Sequence, residues 1–196
     1  MKWAGQLCFD GDTAVQVPDN KPVKVANAKS GGAAVASTTV AIKNIKAGQK
    51  VFARDETTGK VVVARVREVF KRQSDHLITV EFAAAKGKDA KTVEVLKTTR
   101  QHPFYVDGKG WVPAGGLGIG NAIVTRAGPR LVVKSIKWAR RAQGYTVYNF
   151  EVEALTGKEE DGKHTHSYFV GKHSGGAWVH NGRYWTEGSL GSTVKN

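Results

Sequence analysis

Short runs of Val, Ile, Phe and Tyr alternate with polar residues along most of the chain, the period-two signature of half-buried strands. The clearest are KVFARD (50–55), VVVARVREVF (61–70), HLITVEF (76–82), KTVEVLKT (91–98), RLVVKSIKWA (130–139) and YTVYNFEVEA (145–154). TTG at 57–59 and AGP at 127–129 each separate two such runs, as hairpin connections do. Helix is predicted nowhere beyond a single turn near 41–47. Residues 26–37, with KSGGAAVAS at their centre, and KEEDGK at 158–163 lack any periodicity and predict exposed loops. Strand-like runs of the same character continue on both sides of each loop, so neither reads as a domain boundary.

A weak internal repeat underlies the strands. The stretch from Ile45 to Phe52, followed by a turn and the runs at 61–70 and 77–82, is echoed by Leu117 to Val124, a turn, and the runs at 131–138 and 148–153. Gly48 and Gly120 occupy the same place in the two copies. Two copies are too few for a solenoid, and they predict two related β units sharing one core.

Composition narrows the function classes. The chain has 196 residues, 40% hydrophobic and 24% charged, which excludes wholesale disorder. No apolar run approaches the roughly 18 residues of a membrane span, and the start MKWAGQLCFDG lacks a signal peptide's apolar stretch. One cysteine, Cys8, excludes an intrachain disulfide and any cysteine-based zinc or iron–sulfur site. Lys and Arg exceed Asp and Glu by a net +13, which invites a nucleic-acid reading. The basic residues are interleaved with acidic ones, however, and only Lys71-Arg72 and Arg140-Arg141 cluster, so a solvated surface is expected.

The chemically capable residues are individually unspecific. Cys8 alone reads as a small buried hydrophobe, and Thr99 as an ordinary strand residue. His102 precedes Pro103, which holds it in an extended or turn conformation. His164, His166, His173 and His180 suit a zinc site by residue type, but no carboxylate spacing completes one.

In order, they are far more specific. Cys8 with its GDT turn, Thr99-x-x-His102, the VYNFEVE strand, the HSYFV strand and the closing Val179-His180-Asn181 resemble the blocks of the Hint superfamily of inteins, bacterial intein-like domains and hedgehog autoprocessing domains. The GKGW turn at 108–111 is similar to that of pretoxin Hint domains of bacterial polymorphic toxins. The likeness runs from Cys8 to Asn181. It implies an all-β, horseshoe-like fold with pseudo-twofold symmetry, in agreement with the repeat. It also implies that residues 8–181 form the self-processing domain, flanked by 1–7 and 182–196, with both ends of the domain meeting in one site. The short interval between His102 and Tyr148 leaves no room for a homing endonuclease.

By this resemblance Cys8 attacks the carbonyl of Leu7 to form a thioester, His102 protonates the departing amide nitrogen, and Thr99 hydrogen-bonds the oxyanion. Asn181 cyclises to a succinimide and severs Asn181–Gly182, assisted by His180 and His166. Two departures from the family pattern matter. Gly182 stands where splicing inteins carry a nucleophile, so cleavage is expected in place of standard splicing. Asn149 stands where many relatives carry Asp, and an amide cannot ionise; a hydrogen bond to Cys8 or its leaving group is the role left to it. No cofactor or metal is expected. The partners implied are the flanking polypeptides in cis, with no obligatory nucleic acid, no membrane and a monomeric state, in a larger bacterial precursor of the secreted-toxin kind. The alternatives are a basic β-rich nucleic-acid-binding module and an inactive Hint spacer.

Overall fold

The computed structural model describes residues 7–19, 36–84, 90–128, 130–155 and 165–181. The expected loop at 158–163 and most of that at 26–37 lie outside the described residues, as do Gly182 and the flank beyond it. The described residues build an all-β fold from β1 (Phe9–Asp10), β2 (Ala14–Pro18), β3 (Ser37–Ala41), β4 (Lys50–Arg54), β5 (Val61–Ala83), β6 (Thr92–Thr98), β7 (Pro103–Val106), β8 (Gly110–Pro113), β9 (Ala122–Ile123), β10 (Leu131–Ala154), β11 (Ser167–Val170) and β12 (Ala177–His180). Hydrogen-bonded neighbours run β3-β2-β11-β12-β7-β9-β10-β1-β6-β5-β4, with β8 on β7 and β10 also on β5. The predicted turn near 41–47 is a 3-10 turn at Ile42–Asn44, and two more lie at Ala114–Gly116 and His173–Gly175.

Each of the two longest strands joins two runs that the sequence separates. β5 continues through KRQSD and β10 through RRAQG, and the two pair antiparallel from Val132↔Ala83 to Ala154↔Ala64. Local polarity suggests a break at those segments, but Lys71–Ser74 pair with Tyr145–Tyr148 of the partner strand, which keeps β5 extended there. The largest irregularity is a bulge between Arg140 and Tyr145, where Gly144 adopts φ 71°. Across this ribbon Arg65 pairs with Glu153, Lys137 with Glu81 and Arg140 with Asp75. Such exposed pairs contribute little to stability, but they intersperse the excess positive charge with carboxylates, as expected from the sequence.

The weak repeat is a pseudo-twofold in the hydrogen bonding itself. Gly48 N–H donates to Val66 O (2.8 Å) and Val66 N–H to Gln49 O (2.8 Å); Gly120 N–H donates to Val133 O (2.8 Å) and Val133 N–H to Asn121 O (2.9 Å). Earlier in each copy Ile42 N–H donates to Thr13 O (2.8 Å) and Ala114 N–H to His102 O (2.9 Å). Thr13 is thus the counterpart of His102, and Phe9 of Thr98, which pair with each other between β1 and β6 where the halves meet. Gly48 and Gly120 sit at φ 85° and 86°, and a methyl group on either α-carbon would meet nothing within 4 Å. Alanine at either site therefore meets only backbone strain, and each substitution is expected to cost about 1–2 kcal/mol. Chemical denaturation of the two variants checks this; clearly unequal costs would show the two turns to be inequivalent.

The main core draws on both halves, with Phe9, Val51, Ile78, Phe82, Phe104 and Phe150 fully buried in one cluster. The β11–β12 hairpin ties the halves together. Val170 on β11 pairs with Val15 of β2, and Val179 on β12 pairs with Phe104 of β7. Val15 and Phe104 are counterparts in the two copies, so the hairpin lies across the pseudo-twofold and carries its C-terminal end back to the start of the chain.

Candidate active site

Leu7 and Cys8 lead into β1 and are buried. The backbone of Cys8 is held from both sides. Its N–H donates to Thr99 Oγ1 (3.1 Å), while its carbonyl accepts from Thr98 Oγ1 (2.8 Å) and from Thr99 N–H (2.9 Å). The Thr99 hydroxyl thus accepts from the nitrogen of the Leu7–Cys8 peptide, and it also donates to Cys8 O at 3.4 Å. The thiol packs with Leu77 and Val147, and burial pushes it up to about 12, with the positive charge of Arg72 opposing.

The turn from Thr99 to His102 is closed by His102 N–H donating to Thr99 O (3.2 Å) and by Arg100 N–H donating to the ring of His76 (3.3 Å). It delivers a fully buried His102 whose ring lies 4.1 Å from that of Phe9, the residue following Cys8. Neither ring nitrogen of His102 has a hydrogen-bond partner among the described residues. Desolvation, reinforced by His180, holds the imidazole well below its ordinary value, so it is neutral at physiological pH. A polar group without a partner at this depth is costly.

Asn149 on β10 is buried, and its Oδ1 accepts a hydrogen bond from Tyr168 O–H at 2.8 Å. Tyr168, fully buried on β11, feels the charge of Cys8 and lies with its ring 6.4 Å from that of His102. Asn149 is thus bonded to Tyr168, whose hydroxyl feels the Cys8 thiol.

At the other end of the chain, β11 and β12 align Ser167 with His180, and Asn181 N–H donates to His166 O (2.6 Å). The His166 and His180 rings are 6.2 Å apart, and Trp111, from the GKGW turn, sets its ring against that of His180 at 5.1 Å. Burial, with His166 adding to it, pulls His180 down to about 4. Asn181 is 2% exposed, and both its side-chain polar atoms lack a hydrogen-bond partner among the described residues. The pairing of Val179 with Phe104, carried two residues further, sets Asn181 across from His102. Cys8, Thr99, His102, Asn149, His166, His180 and Asn181 are therefore gathered at one place. His173 is not among them, since it lies in the turn at the far end of the β11–β12 hairpin, where its N–H donates to Glu94. Among the described residues no group of three His, Cys, Asp or Glu is arranged to hold a metal ion.

Sequence reasoning does not single out Thr98, Tyr168 or Glu56. Thr98 and Tyr168 sit within or beside the motifs, and their strand alternation is a usable signal; Tyr168 is two residues from His166 and so shares its face. Glu56 lies in the β4–β5 turn, with one carboxylate oxygen 3.8 Å from His180 Nε2. Nothing in the DETTG turn foretells that approach.

Comparison with known proteins agrees with this geometry. Residues 33–182 match the pretoxin Hint domain family. The solution structure of a bacterial intein-like domain from Clostridium thermocellum is similar at 29% identity and a TM-score of 0.66, covering 90% of this chain and 100% of that one. A DnaB intein from Synechocystis sp. PCC 6803 (17% identity, TM-score 0.58, 89% and 98% covered) and the TvoVMA intein (20%, 0.56, 89% and 98%) share the fold. No curated protein matches the chain in sequence. The horseshoe-like all-β fold and the match over most of its length place this chain in the pretoxin Hint family, within the Hint superfamily of self-processing domains.

Proposed function

We propose that the chain is a single-turnover self-processing domain that cuts its own backbone at Leu7–Cys8 and at Asn181–Gly182. What supports this reading is that the ring of His102, whose nitrogens have no partner among the described residues, lies 4.1 Å from that of Phe9, next to Cys8, and that the β7–β12 register carries Asn181 toward it.

At the first bond, Cys8 Sγ attacks the adjacent Leu7 carbonyl. The C–S bond forms, the C–N bond breaks, and the proton lost from sulfur is balanced by one gained at the Cys8 nitrogen. The nucleophile is tethered beside its target, so no entropy is spent on encounter. The Thr98 and Thr99 contacts fix the Cys8 backbone on either side of the attacking group. His102 supplies the proton to the leaving nitrogen, a role worth roughly 10²–10⁴-fold. Water then hydrolyses the thioester, releasing the Leu7 carboxylate and restoring the thiol.

At the second bond, Asn181 Nδ2 attacks its own main-chain carbonyl, closing a succinimide as the Gly182 nitrogen leaves with a proton. His180, held neutral by burial, and His166 assist as proton carriers. Gly182 offers no side-chain nucleophile to receive the upstream acyl group, so the two cuts release flanking polypeptides without joining them through that residue. The partners are those flanks in cis, within a larger bacterial precursor of the secreted-toxin kind, and the chemistry requires no metal or cofactor.

Intact-mass analysis of the purified chain over time tests the proposal. The expected products are a fragment ending at Leu7, a core from Cys8 to Asn181, and a fragment beginning at Gly182. A chain that stays whole indefinitely at all pH values would refute it.

A further inference from the structure

We infer that Glu56 is a positioning residue for the C-terminal cut, a carboxyl group that lends a proton through His180 to the departing Gly182 nitrogen. This rests on the self-processing reading and adds to it a residue from outside the recognised motifs.

The β4–β5 hairpin is built to bring Glu56 to that place. Asp55 closes its turn by accepting the N–H groups of Thr57 (2.9 Å) and Thr58 (2.7 Å) on its carboxylate and that of Gly59 (2.9 Å) on its carbonyl. The root of the hairpin is latched to the β11–β12 pair. Ser167 Oγ donates to Arg54 O (3.0 Å), the Arg54 guanidinium lies 4.9 Å from the Trp178 ring, and its Nη2 donates to Thr125 O (3.2 Å). Held in this way, Glu56 accepts a hydrogen bond from the His166 backbone N–H and sets Oε1 3.8 Å from His180 Nε2. Its side chain is 27% exposed, which is sheltered for a carboxylate in a surface turn but still open to exchange protons with solvent.

The charged and titratable groups around it are Arg54 and Asp55 on its own hairpin and His166 and His180 on the facing one. Burial pushes Glu56 up to about 7, with Asp55 adding to the rise and the His166 N–H opposing it. Because His180 sits near 4, the carboxyl and the imidazole together hold one proton between those values, and that proton resides on Glu56. The 3.8 Å approach is therefore no ion pair in that range: it is a protonated carboxyl beside a neutral imidazole, a separation that needs only to close to hydrogen-bond length during reaction.

The proton count closes. Asn181 Nδ2 forms its bond to the carbonyl carbon and gives up one proton, and the C–N bond to Gly182 breaks as that nitrogen gains one. His180 passes the proton of its far nitrogen to Gly182 and takes one at Nε2 from Glu56. The proton released by Asn181 returns to the Glu56 carboxylate, so the domain ends the step with the number of protons it began with and His180 in its other neutral tautomer.

The test is the pH profile of C-terminal cleavage, read by intact mass as the fragment beginning at Gly182 appears. In the unaltered chain the rate should fall about tenfold per pH unit above about pH 7, as Glu56 loses its proton. Glu56→Gln keeps the acceptor for His166 N–H and the side-chain size. It should slow the cut about tenfold at pH 6 and remove the fall above neutrality. Glu56→Asp, retaining a carboxyl, should restore the sloping limb at reduced rate, and thermal unfolding of both variants reports that they are folded. A Glu56→Gln profile superimposable on that of the unaltered chain overturns the inference while leaving self-processing intact. Absence of any C-terminal cut in the unaltered chain overturns the self-processing reading instead.

Discussion

Cys8→Ala is expected to abolish scission before residue 8, and in the unaltered chain the same scission should quicken about tenfold per pH unit between about pH 6 and pH 9. Only sulfur at that position is tethered beside the Leu7 carbonyl, and the chain has no second thiol to replace it. The slope follows from where the thiol is buried. Packed with Leu77 and Val147 and pushed up to about 12, it is about one part in 10⁵ thiolate at neutral pH. Its ionised fraction therefore keeps rising tenfold per unit across the whole window. His102 adds no slope of its own, because burial keeps it neutral throughout. The rate is best read with hydroxylamine present, which captures the thioester as it forms and removes the slower hydrolysis from the measurement. A flat profile would mean that the thiol proton passes directly to a neighbour in the reacting step, and the thiolate account would fail. With the opposite trend expected of the C-terminal cut, raising the pH should favour release of the upstream flank and lowering it release of the downstream one.

The sequence and the structure agree where the governing interactions are local. Alternation in 91–98 reports a strand because Leu96 and Thr98 face inward, while the run at 50–55 is buried on both faces at Val51, Phe52 and Ala53; β6 and β4 lie where those runs put them. Gly48 and Gly120 mark the repeat because a left-handed turn demands glycine in both copies. The continuity of β5 through Lys71–Ser74 is hidden because that polar segment is kept extended by its pairing with Tyr145–Tyr148, and β10 runs on through Arg140–Gly144 only by way of a bulge that composition does not announce. The candidate site divides in the same way. Cys8, His102, His180 and Asn181 stand out through the order of their motifs. Thr98 is obscured because a strand threonine is commonplace, and only its bond to Cys8 O distinguishes it. Tyr168 reads as an aromatic core residue, and only the bond from its hydroxyl to Asn149 sets it apart. Glu56 has no local signal at all, since the contact with His180 exists only once the β4–β5 hairpin is latched against β11 and β12.

Asn181→Ala is expected to eliminate the C-terminal cut completely while leaving release of the upstream fragment in place. The reason lies in which nitrogen attacks which carbonyl. In a flexible Asn-Gly pair the unhindered glycine nitrogen can attack the side chain, and the amide is lost as ammonia with the chain unbroken. Cleavage requires the reverse, with Nδ2 aimed at the main-chain carbonyl. Asn181 is 2% exposed, its own N–H is fixed to His166 O at 2.6 Å, and neither polar atom of its side-chain amide is engaged by another described residue. An amide buried without partners costs about 1–3 kcal/mol relative to a satisfied one, and no competing hydrogen bond from a described residue has to break before Nδ2 attacks. Holding Asn181 in one orientation also narrows the search that makes the uncatalysed reaction slow. Intact mass separates the two outcomes, because succinimide formation yields a fragment beginning at Gly182, whereas deamidation leaves the full chain with a small mass gain. In the unaltered protein the break should dominate, and in Asn181→Ala both should disappear at this position. Persistence of the break without the asparagine side chain would show that another group severs the bond.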